Sequence, residues 1–501
     1  MRSTIKIVIL LFFICISMCG ASFPDMEKYM RQHALIWEQL PMQWNEGAFL
    51  GNGLVGMMVY ADSTLNALVF HLGRPDVTDH RKAPYRKTSI GTEEADKMVD
   101  FCRLDVGKML LFPEGKILSG TFYLDIYNAE LTGHLKTDKG DLTFHAYTPQ
   151  PEEVNIVEVS SGVPYRWKGI PGNPCSPRIR VFPHLKEKLK YKDNPAPVVD
   201  QKDKEGSWVQ SLLAGGDYAT YWKEVPGGKS RSVLYVSTAN EVPASSLSLA
   251  KAMKTVEATQ ITGTKLLKQK TRQWWNAYHE RSFLSIPDKK LENFYFIQMY
   301  KLATCSHPDG PAMDVMGTFF KLSPWPSFWW NLNIQLTYMP IGPANRMEQG
   351  KNFQRLMDEV FPSLVRSIEP CKIGDYTWAL QNYYMYLRYA GADWQDIKQQ
   401  VVPKALDAFA VFDKILCYKE NTWHLTHIES PEYEGFQKYN DSNYGLASLS
   451  WLLQTLIACH DRTSSTHPDY ARWKEILTRL APYPTNENGL MIAANKPLEK
   501  S

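Results

Sequence analysis

The spacing of apolar residues changes character once along this chain of 501 residues, near residue 245, and no single layer of secondary structure suits both halves. Upstream, Phe122, Leu124 and Ile126 alternate with Tyr123, Asp125 and Tyr127, the two-residue repeat of a strand with one buried face. Leu142 to Tyr147 follows the turn signal Asp138-Lys139-Gly140, and Val154 to Val159 and Val233 to Val236 are short β-branched runs. Pro226-Gly227-Gly228 marks another hairpin turn. Short strands at this spacing predict an antiparallel β-sandwich over residues 22–245, large for one domain but within the range of all-β folds.

Downstream the period is helical. Ser248 to Glu280 is polar, Lys-rich and nearly unbroken, which predicts a linker helix over 246–288 with one face packed on its neighbours. Leu291 to Thr304, Tyr376 to Tyr389, Asp396 to Leu416, Asn443 to His460 and Tyr470 to Leu480 follow, separated by Pro, Gly, Asn and Asp clusters. They read as antiparallel helical hairpins in series, and no short sequence repeat points to a solenoid.

Arg2 and Lys6, an apolar run from Ile7 to Ile16, and the small residues Gly20, Ala21 and Ser22 have the form of a secretory signal peptide over 1–21. The run is shorter than the roughly 20 residues of a membrane span, so a secreted or periplasmic protein without a transmembrane segment is expected. Lipid attachment at Cys19 is the alternative, disfavoured by the bulky Met18. The remaining cysteines, Cys102, Cys175, Cys305, Cys371, Cys417 and Cys459, form no CxxC pair and read as buried free thiols. A net charge of +3 with interspersed signs gives no polybasic face, which argues against a nucleic-acid partner. With 15 Trp and 26 Tyr, several of them beside Asn, Asp and Glu, the chain carries flat apolar rings next to hydrogen-bonding groups, which suit an oligosaccharide or polysaccharide substrate.

Two segments concentrate the chemistry. Ser323-Pro324-Trp325-Pro326-Ser327-Phe328-Trp329-Trp330-Asn331-Leu332-Asn333-Ile334-Gln335 is poor helix material and predicts a structured loop entering a helix near Gln335. Its amides Asn331 and Asn333 are expected to face a cavity, where they can orient a water and hold a neighbouring carboxylate, and Trp325, Trp329 and Trp330 are candidate sugar-binding rings. The second segment, His424-Leu425-Thr426-His427-Ile428-Glu429-Ser430-Pro431-Glu432-Tyr433-Glu434, places three acids within six residues on a loop between helices. Cleavage of a glycosidic bond needs a carboxylic acid to protonate the departing oxygen and a base to activate water. His424 and His427 could also be read as metal ligands, but the spacing is not HExxH; no metal and no cofactor are implied, and His427 is a candidate substrate contact. Gly51-Asn52-Gly53 precedes the strand-like Met57 to Tyr60 and reads as a turn with positive φ, not a phosphate loop.

Trp37, Leu40-Pro41, Gly51-Asn52-Gly53-Leu54-Val55-Gly56, Pro324-Trp325, Asn331-Leu332-Asn333 and Ser430-Pro431-Glu432, in this order, resemble glycoside hydrolase family 95 from about residue 35 onward. The resemblance implies a β-sandwich, a helical linker, an (α/α)6 barrel and a further β-domain, with inverting action on α-L-fucosides or α-L-galactosides. It implies that Asn331 and Asn333 assist the base and its water, and that Glu432 is the general acid. Gln335-Leu336-Thr337-Tyr338 and Tyr433 depart from the fucosidase pattern. The resemblance also implies a base Asp late in the barrel, which is expected to lie beyond Ser501, so that 289–501 reads as an incomplete (α/α)6 catalytic domain. Asp441 is then expected to be a helix cap. A non-catalytic secreted carbohydrate-binding protein is the competing reading, and a metal-dependent hydrolase on His424 and His427 a third.

Overall fold

A computed structural model describes residues 25–81, 97–241, 247–429, 433–434 and 437–498. The segment read as a leader, the Ser430-Pro431-Glu432 motif and Ser501 lie outside them.

An antiparallel β region comes first. One sheet of nine strands contains β1 (Leu35–Trp37), β6 (Ile117–Asp125), β7 (Glu130–Thr137), β8 (Asp141–Tyr147), β9 (Asn155–Ser161), β14 (Arg231–Glu241), β13 (Asp217–Pro226), β12 (Glu205–Ser211) and β11 (Val198–Gln201), in that spatial order. The second, of five, runs β10 (Tyr165–Ile170), β5 (Lys108–Pro113), β4 (Ala67–Gly73), β3 (Gly56–Asp62) and β2 (Ala48–Gly51). Each strand read from the sequence overlaps one of these, although β6 ends at Asp125, before Ile126 and Tyr127, and β9 begins one residue after Val154. Alternation turns Phe122, Leu124, Leu142 and Phe144 inward, where they meet Phe70 and Trp167 of the other sheet. Phe144 and Trp167 both sit edge-on to Phe70, with ring centroids 5.5 and 5.4 Å away.

The expected linker is two helices, not one. With α1 (Met26–Met30), α2 (Pro177–Val181) and α3 (Leu185–Lys188) preceding, α4 (Ser248–Thr262) and α5 (Thr264–His279) are parted by Gly263, whose φ of 80° ends the first helix. Ser248, Ala252, Val256 and Thr259 form the buried stripe of α4, which covers the outer face of β13 and β14 around Tyr221 and Tyr235. The polar remainder faces solvent, which is why the segment looked so little like core.

The helical region follows as α6 (Lys289–Cys305), α7 (Asn333–Tyr338), α8 (Lys351–Glu359), α9 (Phe361–Val365), α10 (Ile373–Tyr389), α11 (Trp394–Gln400), α12 (Val402–Phe412), α13 (Asn443–Thr463) and α14 (Tyr470–Thr478). Asp288 caps α6 and Asp393 closes a capping box on α11. The helix read over 396–416 is split where Pro403 follows Val402, and its end is a strand, β15 (Leu416–Lys419), paired with β16 (Thr422–Leu425). Two tiny strands, β17 (Ile428–Glu429) and β18 (Lys438–Tyr439), frame the acid-rich loop. Among the described residues all six cysteines are free, but Cys417 is exposed and Cys175 only half-buried rather than buried. No described helix is long and apolar enough to cross a membrane.

Candidate active site

The Trp-rich loop packs on the first turn of α10, where Trp330 stacks on Tyr376, and β17, which leads into the acid-rich loop, packs on α10 and, through Ile428, on Gly445 of α13. The Trp-rich loop is held in place by two excursions of the β region. Arg103 N–H donates to the Pro326 carbonyl at 2.6 Å, Arg178 Nη1 to the Pro324 carbonyl at 2.6 Å, and Trp329 packs on Met98 and Phe101. Of the three candidate sugar-binding rings only Trp325 is exposed, 43%, with the Arg178 guanidinium 5.2 Å from its centre. Trp329 and Trp330 are buried, Trp330 stacked on Tyr376 at 5.1 Å. The structure assigns these two to packing, because a loop with two prolines and no strand partner needs apolar anchors.

The paired amides part company. Asn331 is 1% exposed, and neither its Oδ1 nor its Nδ2 has a hydrogen-bond partner. Asn333 is exposed at the start of α7. Leu332 between them holds φ 60° and ψ −52°, and Asn333 N–H reaches the Asn331 carbonyl at 2.6 Å, a γ-turn of the left-handed, strained type. A buried polar group left unpaired costs about 1 to 3 kcal/mol, and a leucine held in so sparsely populated a backbone conformation adds roughly 1 to 3. Such costs persist where the surroundings enforce them, and they concentrate at functional sites. That turn is what sends one amide inward and the other out.

Beneath this loop lies a carboxyl that sequence reasoning missed. Asp375, in the first turn of α10, is 7% exposed and accepts a hydrogen bond from the Tyr444 hydroxyl at 2.7 Å. Gln335 Nε2 donates to the Asp375 backbone carbonyl at 2.9 Å, and Asn382 Nδ2 to the Gln335 carbonyl at 2.6 Å, which ties α7 to α10. Gly374 precedes it because a β-carbon there would collide with the Tyr444 ring. Burial pushes the Asp375 carboxyl up to about 7; the nearby Glu429 charge adds to the rise, and the Tyr444 hydroxyl and Lys372 offset part of it. Glu429 itself is half-buried on β17, paired across to Lys438. In the sequence, Gly374-Asp375-Tyr376 looks like an acidic residue at an ordinary helix start, and nothing local signals its burial.

Of the remaining candidates, Glu432 lies outside the described residues. His427 is exposed with φ 54°, its N–H donating to Asn440 Oδ1 at 3.0 Å. His424 Nδ1 lies 2.7 Å from Asp441 Oδ2, and Asp441 Oδ1 accepts from Leu425 N–H, so Asp441 braces β16. The cap of α13 is Ser442, whose hydroxyl accepts from Gly445 N–H at 3.2 Å; Asp441 stands one residue too early, with φ 48°. Among the described residues no group of three His, Cys, Asp or Glu side chains is arranged to hold a metal ion.

No protein-family model and no curated protein matches the chain. Solved structures do. One described as a kojibiose phosphorylase from the human microbiome superposes with a TM-score of 0.60 at 9% identity, over 91% of this chain and 70% of that one. A bacterial glucoamylase complexed with acarbose (TM-score 0.46, 9% identity, 92% of this chain and 73% of that one) is also matched. So is a family GH92 α-mannosidase of Bacteroides thetaiotaomicron in complex with mannoimidazole (TM-score 0.35, 8% identity, 86% and 61%). The first of these shares the fold of this chain, an antiparallel β region followed by a helical region.

Proposed function

We propose that this protein is an exported glycoside hydrolase-type enzyme that cleaves terminal α-L-fucosyl or related glycosidic bonds. The observation that carries the reading is the buried Asp375 carboxyl, within electrostatic reach of Glu429 and tied through Gln335 to the loop bearing Asn331 and Trp325. A carboxyl that keeps its proton near neutrality adds no negative charge beside the acid-rich loop, and low-charge surroundings of that kind suit the general acid that glycoside cleavage needs there. The unpaired buried amide of Asn331, on the segment that Gln335 ties to Asp375, has both a donor and an acceptor to offer a sugar hydroxyl or the attacking water. The likeness in fold to a carbohydrate-active enzyme supports the same class.

In this proposal Glu432, three residues beyond Glu429, is the general acid, Asn331 orients the water, Trp325 stacks on the sugar, and Asp375 holds the proton balance of the acid loop. The leader over 1–21 is removed, and 22–245, 246–288 and 289–501 act as sandwich, linker and catalytic region. The test is turnover of fucosides and galactosides with good and poor leaving groups. Glu432→Gln is expected to slow poor leaving groups by about 10²-fold or more while sparing aryl glycosides with good ones. Equal losses on both substrates would remove Glu432 from the acid role, and sugar binding untouched by Glu432→Gln with no turnover in the parent protein would leave a binding protein instead.

A further inference from the structure

A cleft of about 510 Å³ opens between the β region and the helical region, and it shares no lining residue with the Trp-rich loop. Its walls differ in chemistry. On the β side, the buried Arg74 guanidinium grips Asp76 through Nε at 2.7 Å and Nη2 at 3.0 Å, while Nη1 takes Glu153 and the Thr238 carbonyl. Both carboxylates are a little over a third exposed, so a desolvated arginine pins two acceptors at the rim in fixed positions. Glu153 uses Oε2 for Arg74, which leaves Oε1 as an acceptor.

On the helical side stand donors. Asp309 N–H donates to His307 Nδ1 at 3.1 Å, so that nitrogen is an acceptor and the neutral ring carries its proton on Nε2. Burial lowers the pKa of His307, which keeps the ring neutral at pH 7. Arg355 is anchored through Nη1 to the Pro308 carbonyl at 2.8 Å and through Nη2 to the Gly310 carbonyl, and both groups line one wall with Pro311. Pro75 and Pro151 face them with rigid apolar rings.

We propose that this cleft is a second carbohydrate-binding site, taking one neutral pyranose unit through a vicinal pair of hydroxyls. Each sugar hydroxyl both donates and accepts, which matches a carboxylate wall opposed by an imidazole N–H and a guanidinium, and the prolines suit the C–H face of the ring. A cation finds the two acids already engaged by Arg74 and faces Arg355 across the cleft, and an anion meets Asp76, Glu153 and Asp309 at the entrance. The volume holds a monosaccharide unit with its first neighbour, as expected for a site that grips a longer chain while another site acts on its end.

Binding is read without turnover, so the result stands or falls separately from the hydrolase proposal. The full chain is incubated with methyl α-L-fucopyranoside, methyl β-D-galactopyranoside or inorganic phosphate, and hydrogen exchange is followed by mass spectrometry, with titration calorimetry alongside. One of the sugars is expected to slow exchange in peptides spanning 151–154 and 307–311, and to do so equally in Asn331→Ala. Glu153→Ala and His307→Ala are each expected to weaken that protection about tenfold, the size of one lost hydrogen bond to a charged or buried partner. Two substitutions from opposite walls guard against a misfolded variant, and circular dichroism checks each. Protection by phosphate instead of sugar, protection that survives both substitutions, or none at all with either sugar overturns the proposal.

Discussion

Replacing Asp375 by asparagine should make the protein more stable and less active at the same time, and the stability gain should depend on pH in one direction only. The ordinary carboxyl value is 3.8 and the folded value is about 7, a difference of about 3 units or on the order of 4 kcal/mol at 1.36 kcal/mol per unit. The folded state therefore binds the extra proton between about pH 4 and 7. Below pH 4 the group is protonated in both states and nothing is lost; as pH rises through the window, keeping the native carboxyl becomes progressively costly, with the full penalty above pH 7. An asparagine keeps an oxygen to accept from the Tyr444 hydroxyl and carries no charge to desolvate. Urea titrations followed by Trp fluorescence at pH 4.5, 6 and 8 should give an Asp375→Asn variant close to its parent at the lowest pH and more stable by about 2 to 4 kcal/mol at the highest. Turnover should fall in the same variant, since a site that tolerates an unfavourable buried acid does so for its chemistry. A gap that stays constant across the three pH values, or one that favours aspartate at pH 8, would refute the account of this group.

Three further outcomes follow from the same geometry. Asn331→Ala should leave the urea midpoint unchanged or raised, because no hydrogen bond is lost, yet cut turnover by about 10²-fold, whereas Asn333→Ala, at an exposed position, should alter neither. Trp330→Ala should destabilise the helical region by about 3 to 5 kcal/mol in urea unfolding, while Trp325→Ala should change stability by less than about 0.5 kcal/mol and weaken sugar affinity in calorimetry. His279 is fully buried with its pKa lowered to about 3, chiefly by burial and then by Arg346, so it stays neutral in the fold while the unfolded ring protonates near 6.5. It contributes stability that is lost as pH falls from 6.5 towards 3, and a His279→Gln variant should show a shallower acid limb in thermal melts between those values.

What the sequence determined by itself was the order and kind of the layers. Alternation at Phe122, Leu124 and Ile126, the glycine turns and the helical spacing after residue 248 are local properties, governed by backbone geometry and by which face is buried, so they can be read from neighbouring residues. The prediction of a loop over 323–335 was local in the same sense, since two prolines and adjacent tryptophans suit no regular element. What only the tertiary structure decided was which polar groups lose water. Asp375 and Asp441 are both acids near a helix start, yet one is buried with its carboxyl on the Tyr444 hydroxyl while the other braces a hairpin in partial contact with solvent. Asn331 and Asn333 are two residues apart, and a single positive-φ leucine, on a loop that Arg103 and Arg178 clamp from the β region, turns one into the interior and the other out. Burial, and with it a shifted pKa or an unpaired amide, is a property of what other segments place overhead, here residues from 40 positions away for Asp375 to 146 and more for the loop that bears Asn331.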